Sequence, residues 1–157
     1  INPGGVFGDA LDKKGGTSIE YVRQFMKGKF PGAPKFAVLI SDVKDIAKAH
    51  VACIGNNKVG GRRLIVGKEV KKLVELSQLM AEAMPEYAKK LPKKELPNFM
   101  VKLISYLDSS AKTMIPDLGI MMQTDTTYAE ELLGFKFKPA KDCMAENAKS
   151  VVRLGLV

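Results

Sequence analysis

Short apolar runs alternate with amphipathic helical patterns through the first half of the chain. Residues 36–40 form one such run, before a helical pattern that begins at Asp42. Residues 62–67 form a second, before a longer helical pattern that ends at Pro85. Such alternation is typical of parallel strands joined by crossover helices that cover the sheet. The sequence therefore predicts an α/β layer in this half.

Capping signals place the first two helices of this layer. Thr17 and Glu20 have the spacing of a capping box, which predicts a helix start at Thr17 and a stop at Gly28. Asp42 predicts the cap of a second helix, whose apolar positions recur at helical spacing until Gly55.

The second half of the chain is predicted to be mainly helical. Apolar residues from Leu96 to Leu107 recur at helical spacing, Asp125 caps a short helix that stops at Gly134, and Pro139 opens a final helix. Neither an internal repeat nor a low-complexity tract separates the two halves.

Composition narrows the class of protein. A hydrophobic fraction of 46% over 157 residues supports a folded domain, and no apolar run reaches the length of a membrane span, so we expect a cytoplasmic protein. The net charge of +8 comes from lysines scattered along the chain without interleaved aromatic residues. That pattern is typical of a solvated surface, and a basic nucleic-acid-binding domain is the weaker alternative.

Candidates for acid–base, nucleophilic or metal chemistry are few. The only histidine, His50, falls on the apolar face of its helix and is predicted to be a core residue. Cys53 and Cys143 are predicted to be small core residues rather than metal ligands. Asp42 and Asp45 are spaced as a cap and an acid in the first helical turn, which favours a structural role for both.

The glycine pattern excludes a phosphate-binding loop within this chain. None of the 14 glycines are spaced Gly-x-Gly, and no Gly-x-x-x-x-Gly-Lys sequence occurs. Five of the eight methionines fall between Met84 and Met122. They are interpreted either as adaptable core filler or as the lining of an apolar pocket for an organic substrate.

Residues 1–8 are predicted to be the end of a strand that runs into a turn, and no initiator Met precedes them. We therefore expect the chain to be part of a larger protein. Any chemistry would then be shared with, or carried by, residues outside it.

Several segments, in their shared order, resemble the C-terminal part of an extended short-chain dehydrogenase/reductase. The branch is that of dihydroflavonol reductases and methylglyoxal or aldehyde carbonyl reductases, within the NAD-dependent epimerase/dehydratase superfamily. The matching segments are residues 2–8, 12–18, 41–50, 61–66, 132–137 and 147–150. The resemblance implies the C-terminal portion of a Rossmann-type NAD(P)-binding fold. Residues 1–68 would be the tail of its α/β layer, and residues 69–157 a mainly helical substrate-binding subdomain.

In that family, a Rossmann half binds NAD(P)H and a Tyr-x-x-x-Lys pair assists hydride transfer to a carbonyl. The residues four places after the tyrosines here are Phe25, Leu91, Ser110 and Leu132, none of them lysine. The resemblance therefore implies a parent enzyme that uses NADP or NAD. It implies no catalytic residue in this chain, and no tight cofactor binding or activity by this chain alone.

The resemblance also implies where a cofactor would lie. Pro3, Gly4 and Val6 match the segment beside the nicotinamide, where small residues let backbone approach a planar ring. Thr17 and Ser18 match a position on the cofactor side in some members of the family. No metal site is expected.

The family's substrate pocket is closed by its C-terminal region. That region corresponds here to residues 30–36 and 84–122, with Phe30, Met84 and Met121 as candidate pocket residues. The expected partners are a small carbonyl substrate and the missing Rossmann half, with self-association possible through exposed apolar surface. Neither nucleic acid nor a membrane is expected. A free-standing, non-catalytic binding module of the same ancestry is the alternative.

Overall fold

The computed structural model describes residues 1–106, 112 and 115–157. The strands are β1 (Asn2–Pro3), β2 (Gly5–Phe7), β3 (Ala33–Pro34), β4 (Ala37–Asp42), β5 (Ile65–Val66), β6 (Glu69–Lys72) and β7 (Glu95–Leu96). The helices are α1 (Thr17–Met26), α2 (Val43–Cys53), α3 (Leu73–Ala83), α4 (Asn98–Ile104), α5 (Thr127–Leu133) and α6 (Ala140–Arg153), with short 3-10 turns at Pro85–Tyr87 and Ile115–Asp117.

Parallel pairing dominates the strands, which confirms the predicted α/β fold. β4 is the central strand of a three-stranded sheet, parallel to β2, with Gly5 opposite Ile40. β1 and β5 form a parallel pair, as do β3 and β7. β6 runs antiparallel to β4, an arrangement that the sequence did not predict.

Helix α1 begins at Thr17 as predicted, but the predicted capping box is wrong. The N-cap residue is Gly16, and the Glu20 side chain accepts hydrogen bonds from Arg23 and Gln24 instead of the cap backbone. These partners lie on the same helix face, three and four residues further on, where a long carboxylate side chain reaches them easily. Gly28 follows the helix with a positive φ of 72°, which agrees with the predicted stop.

The predicted cap of α2 is confirmed. Oδ1 of Asp42 accepts hydrogen bonds from the backbone N–H groups of Lys44, at 2.9 Å, and Asp45, at 3.3 Å. Two donors that the helix cannot satisfy internally are thereby paired. The buried Asp45 carboxylate takes a longer-range partner, the N–H of Lys138, at 2.6 Å.

Two predicted helices are shorter than expected. Val70 lies opposite Leu39 in the sheet, so α3 starts only at Leu73, where the Lys72 N–H donates to Glu75. Leu96 belongs to β7 and α4 begins after Pro97, a residue that favours the start of a helix because it has no N–H to lose. Leu107, the predicted end of this helix, lies outside the described residues, as does Met114.

The predicted stop of α5 and start of α6 are confirmed, but the predicted cap of α5 at Asp125 is wrong by one residue. Thr126 is the N-cap residue of α5, while Asp125 accepts from the Thr127 N–H. Gly134 ends α5 with a φ of 76°, and Pro139 precedes α6.

Two apolar clusters hold the elements together. The larger joins α1, β4, α3 and α6, and includes Met26, Ile40, Met80, Met144 and Val151. The smaller lies between α2, β5 and α5, and includes Ala49, Leu64, Val66, Leu133 and Phe137. The larger cluster draws residues from both sides of position 68, and the two-part division proposed there stays a prediction. Among the described residues, no helix is long and apolar enough to cross a membrane.

Candidate functional site

A cleft of about 600 Å³ lies at the carboxyl ends of β2 and β4. Its walls are the chain from Gly4 to Leu11, the first turn of α1, and the exposed side of the first turns of α2. Ligands of parallel α/β sheets bind at this end of the strands, because the loops there leave a crevice lined by strand ends and helix N-termini. The cleft is therefore the candidate functional site.

Four of the five predicted cofactor-side residues line this cleft: Gly4, Val6, Thr17 and Ser18. Pro3 does not. It lies in β1, opposite Val66, and is exposed. Residues 11 to 14 positions apart in the sequence are thus brought to one cavity by the turn after β2.

Gly4 is packed so closely that a side chain would not fit. A Cβ built on it would lie 2.3 Å from the carbonyl oxygen of Leu39. The Gly4 N–H donates to Oγ of Ser41 at 2.9 Å, and that hydroxyl donates to the carbonyl of Val66 at 2.5 Å. The cleft wall is therefore fixed to the strands on either side of it.

A second close approach lies at the end of β2. Gly8 has a φ of 111°, and a Cβ built on it would lie 2.6 Å from Oδ2 of Asp42. Residues with a side chain rarely adopt a φ of this value. Both the backbone conformation and the lack of room for a Cβ therefore favour glycine. The carbonyl of Gly8 accepts from Nδ2 of Asn147 at 2.5 Å.

Asn147 is a site residue that the sequence did not identify. It lines the cleft, its side chain is buried, and its Oδ1 has no hydrogen-bond partner among the described residues. A buried amide oxygen without a partner costs stability, which makes Asn147 an unusual residue in a cleft wall. The available signal was a polar residue on the apolar face of the final helix.

Charged groups of both signs line the cleft, among them Asp9 and Lys44. Thr17 and Ser18 form the first turn of α1, where the helix dipole is positive, and Gly16 supplies no capping side chain. Lys44 also lines the cleft, with its Nζ 3.8 Å from Asp9 and 3.7 Å from Glu146.

Below the cleft floor lies a buried charge cluster. The Lys138 ammonium is 3.0 Å from Asp42 and 2.8 Å from Glu146. Burial lowers the pKa of Lys138, but the hydrogen bonds to Glu146 and Asp42 outweigh it, so the pKa lies above its usual range. Burial is the main cause of the raised pKa of the Cys143 thiol, and the nearby Asp42 carboxylate adds to it. The cluster holds the start of α2 against α6.

The candidate substrate residues are not brought together. Phe30 lines a hollow of about 400 Å³ that adjoins the cleft through Gly16 and Thr17. Met84 packs against the larger apolar cluster. Met121 is 42% exposed and lines a different hollow, beside Ala37 and Val70.

The other residues considered for chemistry, His50 and the two cysteines, make contacts typical of structural residues. His50 was predicted to lie in the core, but it is exposed, because its face of α2 is left uncovered, and its Nδ1 lies 2.8 Å from the Ile46 carbonyl. Cys143 is buried and Cys53 is half-buried. Within the described ranges, no three His, Cys, Asp or Glu side chains are grouped as a metal site.

A parallel α/β layer with a ligand crevice at the carboxyl ends of its strands defines a Rossmann-type architecture. The predicted resemblance to the C-terminal part of an extended short-chain dehydrogenase/reductase is confirmed by sequence and by structure. No protein-family model matches the chain.

Three of the proteins that the chain resembles are described with NADPH. GRP2 of Candida albicans, assigned as an NADPH-dependent methylglyoxal reductase, is 25% identical over an alignment of 158 positions that covers 97% of this chain and 42% of that protein. Yeast methylglyoxal/isovaleraldehyde reductase Gre2, solved with NADPH, is 25% identical with a TM-score of 0.69, over 98% of this chain and 46% of that one. Gre2 of Candida albicans, also solved with NADPH, is 22% identical with a TM-score of 0.70, over 98% of this chain and 43% of that one. The chain thus spans less than half the length of these relatives.

Proposed function

We propose that this chain is the C-terminal part of an NADPH- or NADH-dependent reductase that converts a carbonyl to an alcohol by hydride transfer. It would supply the wall of the nicotinamide site and leave proton donation to a partner segment. The observation that carries this proposal is the cleft at the strand ends, which gathers Gly4, Val6, Thr17 and Ser18.

The cleft residues suit a planar, partly polar ring. The backbone of Gly4 and Gly5 forms part of the wall, and Val6 and Ile19 add apolar surface. The unpaired Oδ1 of Asn147 can accept a hydrogen bond from an amide or hydroxyl group. When bound, the nicotinamide cofactor supplies the hydride. The residues of this chain would hold the ring and exclude water from one face.

The chain alone is expected to be inactive. None of its four tyrosines is followed by lysine at the fourth position, so no Tyr-x-x-x-Lys pair is available to protonate the alkoxide. Titration of the chain with NADPH by calorimetry is expected to show no submicromolar binding. Submicromolar binding by the chain alone would contradict the proposal and favour a free-standing binding module.

A chimera tests the proposal directly. The cofactor-binding half of yeast Gre2 is fused ahead of Ile1, and NADPH oxidation is followed by absorbance with methylglyoxal and with isovaleraldehyde. We expect turnover of at least one aldehyde by the chimera and none by the chain alone. A folded chimera that binds NADPH no more tightly than the Gre2 half alone would contradict the proposal.

A matched pair of variants separates binding from folding in the chimera. Val6→Asn places a polar group in the cleft wall and is expected to raise KM for NADPH about tenfold or more. Val59→Asn changes a valine that is also half-buried but lies outside the cleft, against the smaller apolar cluster. It is expected to lower stability and leave KM within twofold. If both variants raised KM for NADPH equally, the cleft would not be the cofactor site.

A further inference from the structure

Helix α2 carries an exposed apolar stripe that no described element covers. Its members are Val43, Ala47, Val51 and Ile54, the last directly after the helix. At 3.6 residues per turn they fall within one arc of about 80°. Val51 is 68% exposed and Ile54 is 81% exposed. A helix face of this kind is normally buried against another element.

The charged side chains of α2 lie away from the stripe. Lys48 is directed to the Asp45 carboxylate at 3.5 Å, and its ammonium lies 6.0 Å from the centre of the Phe135 ring. Lys44 faces Asp9 and Glu146. His50 lies about 20° beyond the edge of this arc, and its ring nitrogen is held at the Ile46 carbonyl. The stripe is therefore uncharged, and it is continuous with the cleft, which Val43 and Ala47 also line.

The opposite face of α2 covers the β1–β5 pair. Ile46 and Ala49 pack with Ile1, Leu64 and Val66. Among the described strands, β1 pairs only with β5, so its other edge is open and Asn2 and Pro3 are exposed. The stripe and the open edge thus lie on the same part of the molecule.

The topology of the strands indicates which kind of element would pack against the stripe. A strand parallel to β1 at its open edge would be joined to β1 by a crossover helix. Right-handed crossovers that proceed in one direction across a sheet place successive helices on one face. The crossover into β1 would then lie beside α2, which itself belongs to the connection between the parallel strands β1 and β5. Adjacent helices on a sheet pack with axes about 8–10 Å apart, which buries the sides that face each other.

We propose that the stripe of α2 is the docking surface for an amphipathic crossover helix of the cofactor-binding half, the helix that leads into β1. This inference rests on the proposed function, because it takes that half to be the partner. Relatives that are more than twice as long as the match supply chain of sufficient length. Docking there would also close one side of the cleft, since Val43 and Ala47 belong to both surfaces.

Cysteine labelling tests the surface directly. Val51→Cys and Ile54→Cys are made separately, with Cys53→Ala to remove the neighbouring thiol, in the chain alone and in the yeast Gre2 chimera. Leu103→Cys on α4 is the matched control, because Leu103 is a similarly exposed apolar residue at 66%. Maleimide labelling is followed by mass spectrometry. We expect labelling at positions 51 and 54 to be at least tenfold slower in the chimera, and labelling at 103 to change less than twofold.

Several results would overturn the inference. One is a folded chimera in which positions 51 and 54 react as fast as in the chain alone. Another is concentration-dependent protection in the chain alone, which would assign the stripe to a second copy. A chimera with the Candida albicans Gre2 half provides a second scaffold. If neither chimera folds by circular dichroism while the chain alone does, the surface does not accept that half.

The outcome is separable from that of the proposed function. If positions 51 and 54 were protected from labelling in a chimera that does not bind NADPH, the docking surface would be supported and the cofactor role of the cleft would be contradicted. If the chimera turned over NADPH but positions 51 and 54 were not protected, the reductase function would be supported and the docking surface would be contradicted.

Discussion

The Lys138 ammonium lies 3.0 Å from Oδ2 of Asp42, the residue that caps α2 with its other oxygen. One carboxylate thus fixes the start of α2 and the segment before α6, although the two residues are 96 positions apart. The Asp42 side chain is fully buried, and the Lys138 side chain, which is 20% exposed, supplies its charge partner. A cap of this kind joins local helix formation to the tertiary fold.

Replacing Lys138 by Met should destabilise the protein by about 3 kcal/mol, because it leaves the Asp42 carboxylate buried without its cation. Lys141→Met is the control, since Lys141 is 71% exposed and 3.6 Å from Glu82, and it should cost less than about 1 kcal/mol. Urea unfolding measures both. Equal losses in the two variants would show that the buried pair contributes nothing specific.

Glu130 should make stability depend on pH in the acid range. Burial raises the pKa of its carboxyl, but hydrogen bonds from Lys68, the Phe137 N–H and Lys136 outweigh burial and lower the pKa to about 2. Because the folded pKa lies below the unfolded value of about 4.3, the unfolded state binds the proton more readily between these two values. The contribution, at most about 3 kcal/mol, is therefore complete above pH ~4.5 and is lost as pH falls toward 2.

Urea unfolding from pH 2.5 to 6 checks this dependence. Glu130→Gln should flatten the stability profile between about pH 2 and 4.5 relative to the wild-type protein. Glu131→Gln, at an exposed neighbouring position, controls for the loss of one negative charge. A Glu130→Gln profile parallel to that of the wild type would show that the carboxyl is not held in its ionised form by these partners.

Two glycines near the cleft should differ in how strongly alanine destabilises the protein. Gly4→Ala would force a Cβ to within 2.3 Å of the Leu39 carbonyl oxygen, so strands must move apart, at a cost of about 1–3 kcal/mol. Gly16→Ala meets no atom within 4 Å and should cost only a few tenths of a kcal/mol as an N-cap change. Thermal unfolding compares them. A Gly4→Ala protein as stable as Gly16→Ala would mean that the β1–β2 junction is looser than the structure shows.

The features that the sequence predicted correctly are those whose interaction partners lie close by along the chain. Asp42 caps α2 and Gly134 stops α5 because the partners of each signal lie within four residues along the chain. The same local reasoning was wrong at Thr17, because Glu20 had competing partners at Arg23 and Gln24. Val70 fitted a helical period and a strand equally well, and only pairing with Leu39 decided for the strand.

Only part of the candidate site could be predicted from the sequence. Gly4 and Thr17 were named from a resemblance, and the fold places them in one cleft. The bond from Asn147 to Gly8 spans 139 positions, and the pairing of Glu130 with Lys68 spans 62. Side-chain partners so far apart leave no periodic trace in the sequence. The exposure of His50 was missed for a similar reason, since helical periodicity identifies a face but not what covers it.

The two cysteines should differ sharply in reactivity. Cys143 is completely buried beside Asp42, and burial together with that carboxylate raises the pKa of its thiol, so the thiolate that reacts with alkylating reagents is scarce at neutral pH. Cys53 lies half-buried at the end of α2. Iodoacetamide followed by mass spectrometry should modify Cys53 within minutes and Cys143 only after unfolding in urea. Cys143→Ser provides the assignment, and Lys138→Met should speed labelling at Cys143 by loosening the contact between α2 and α6. Comparable labelling of both thiols in the folded protein would show that α6 opens far more often than its buried charge cluster implies.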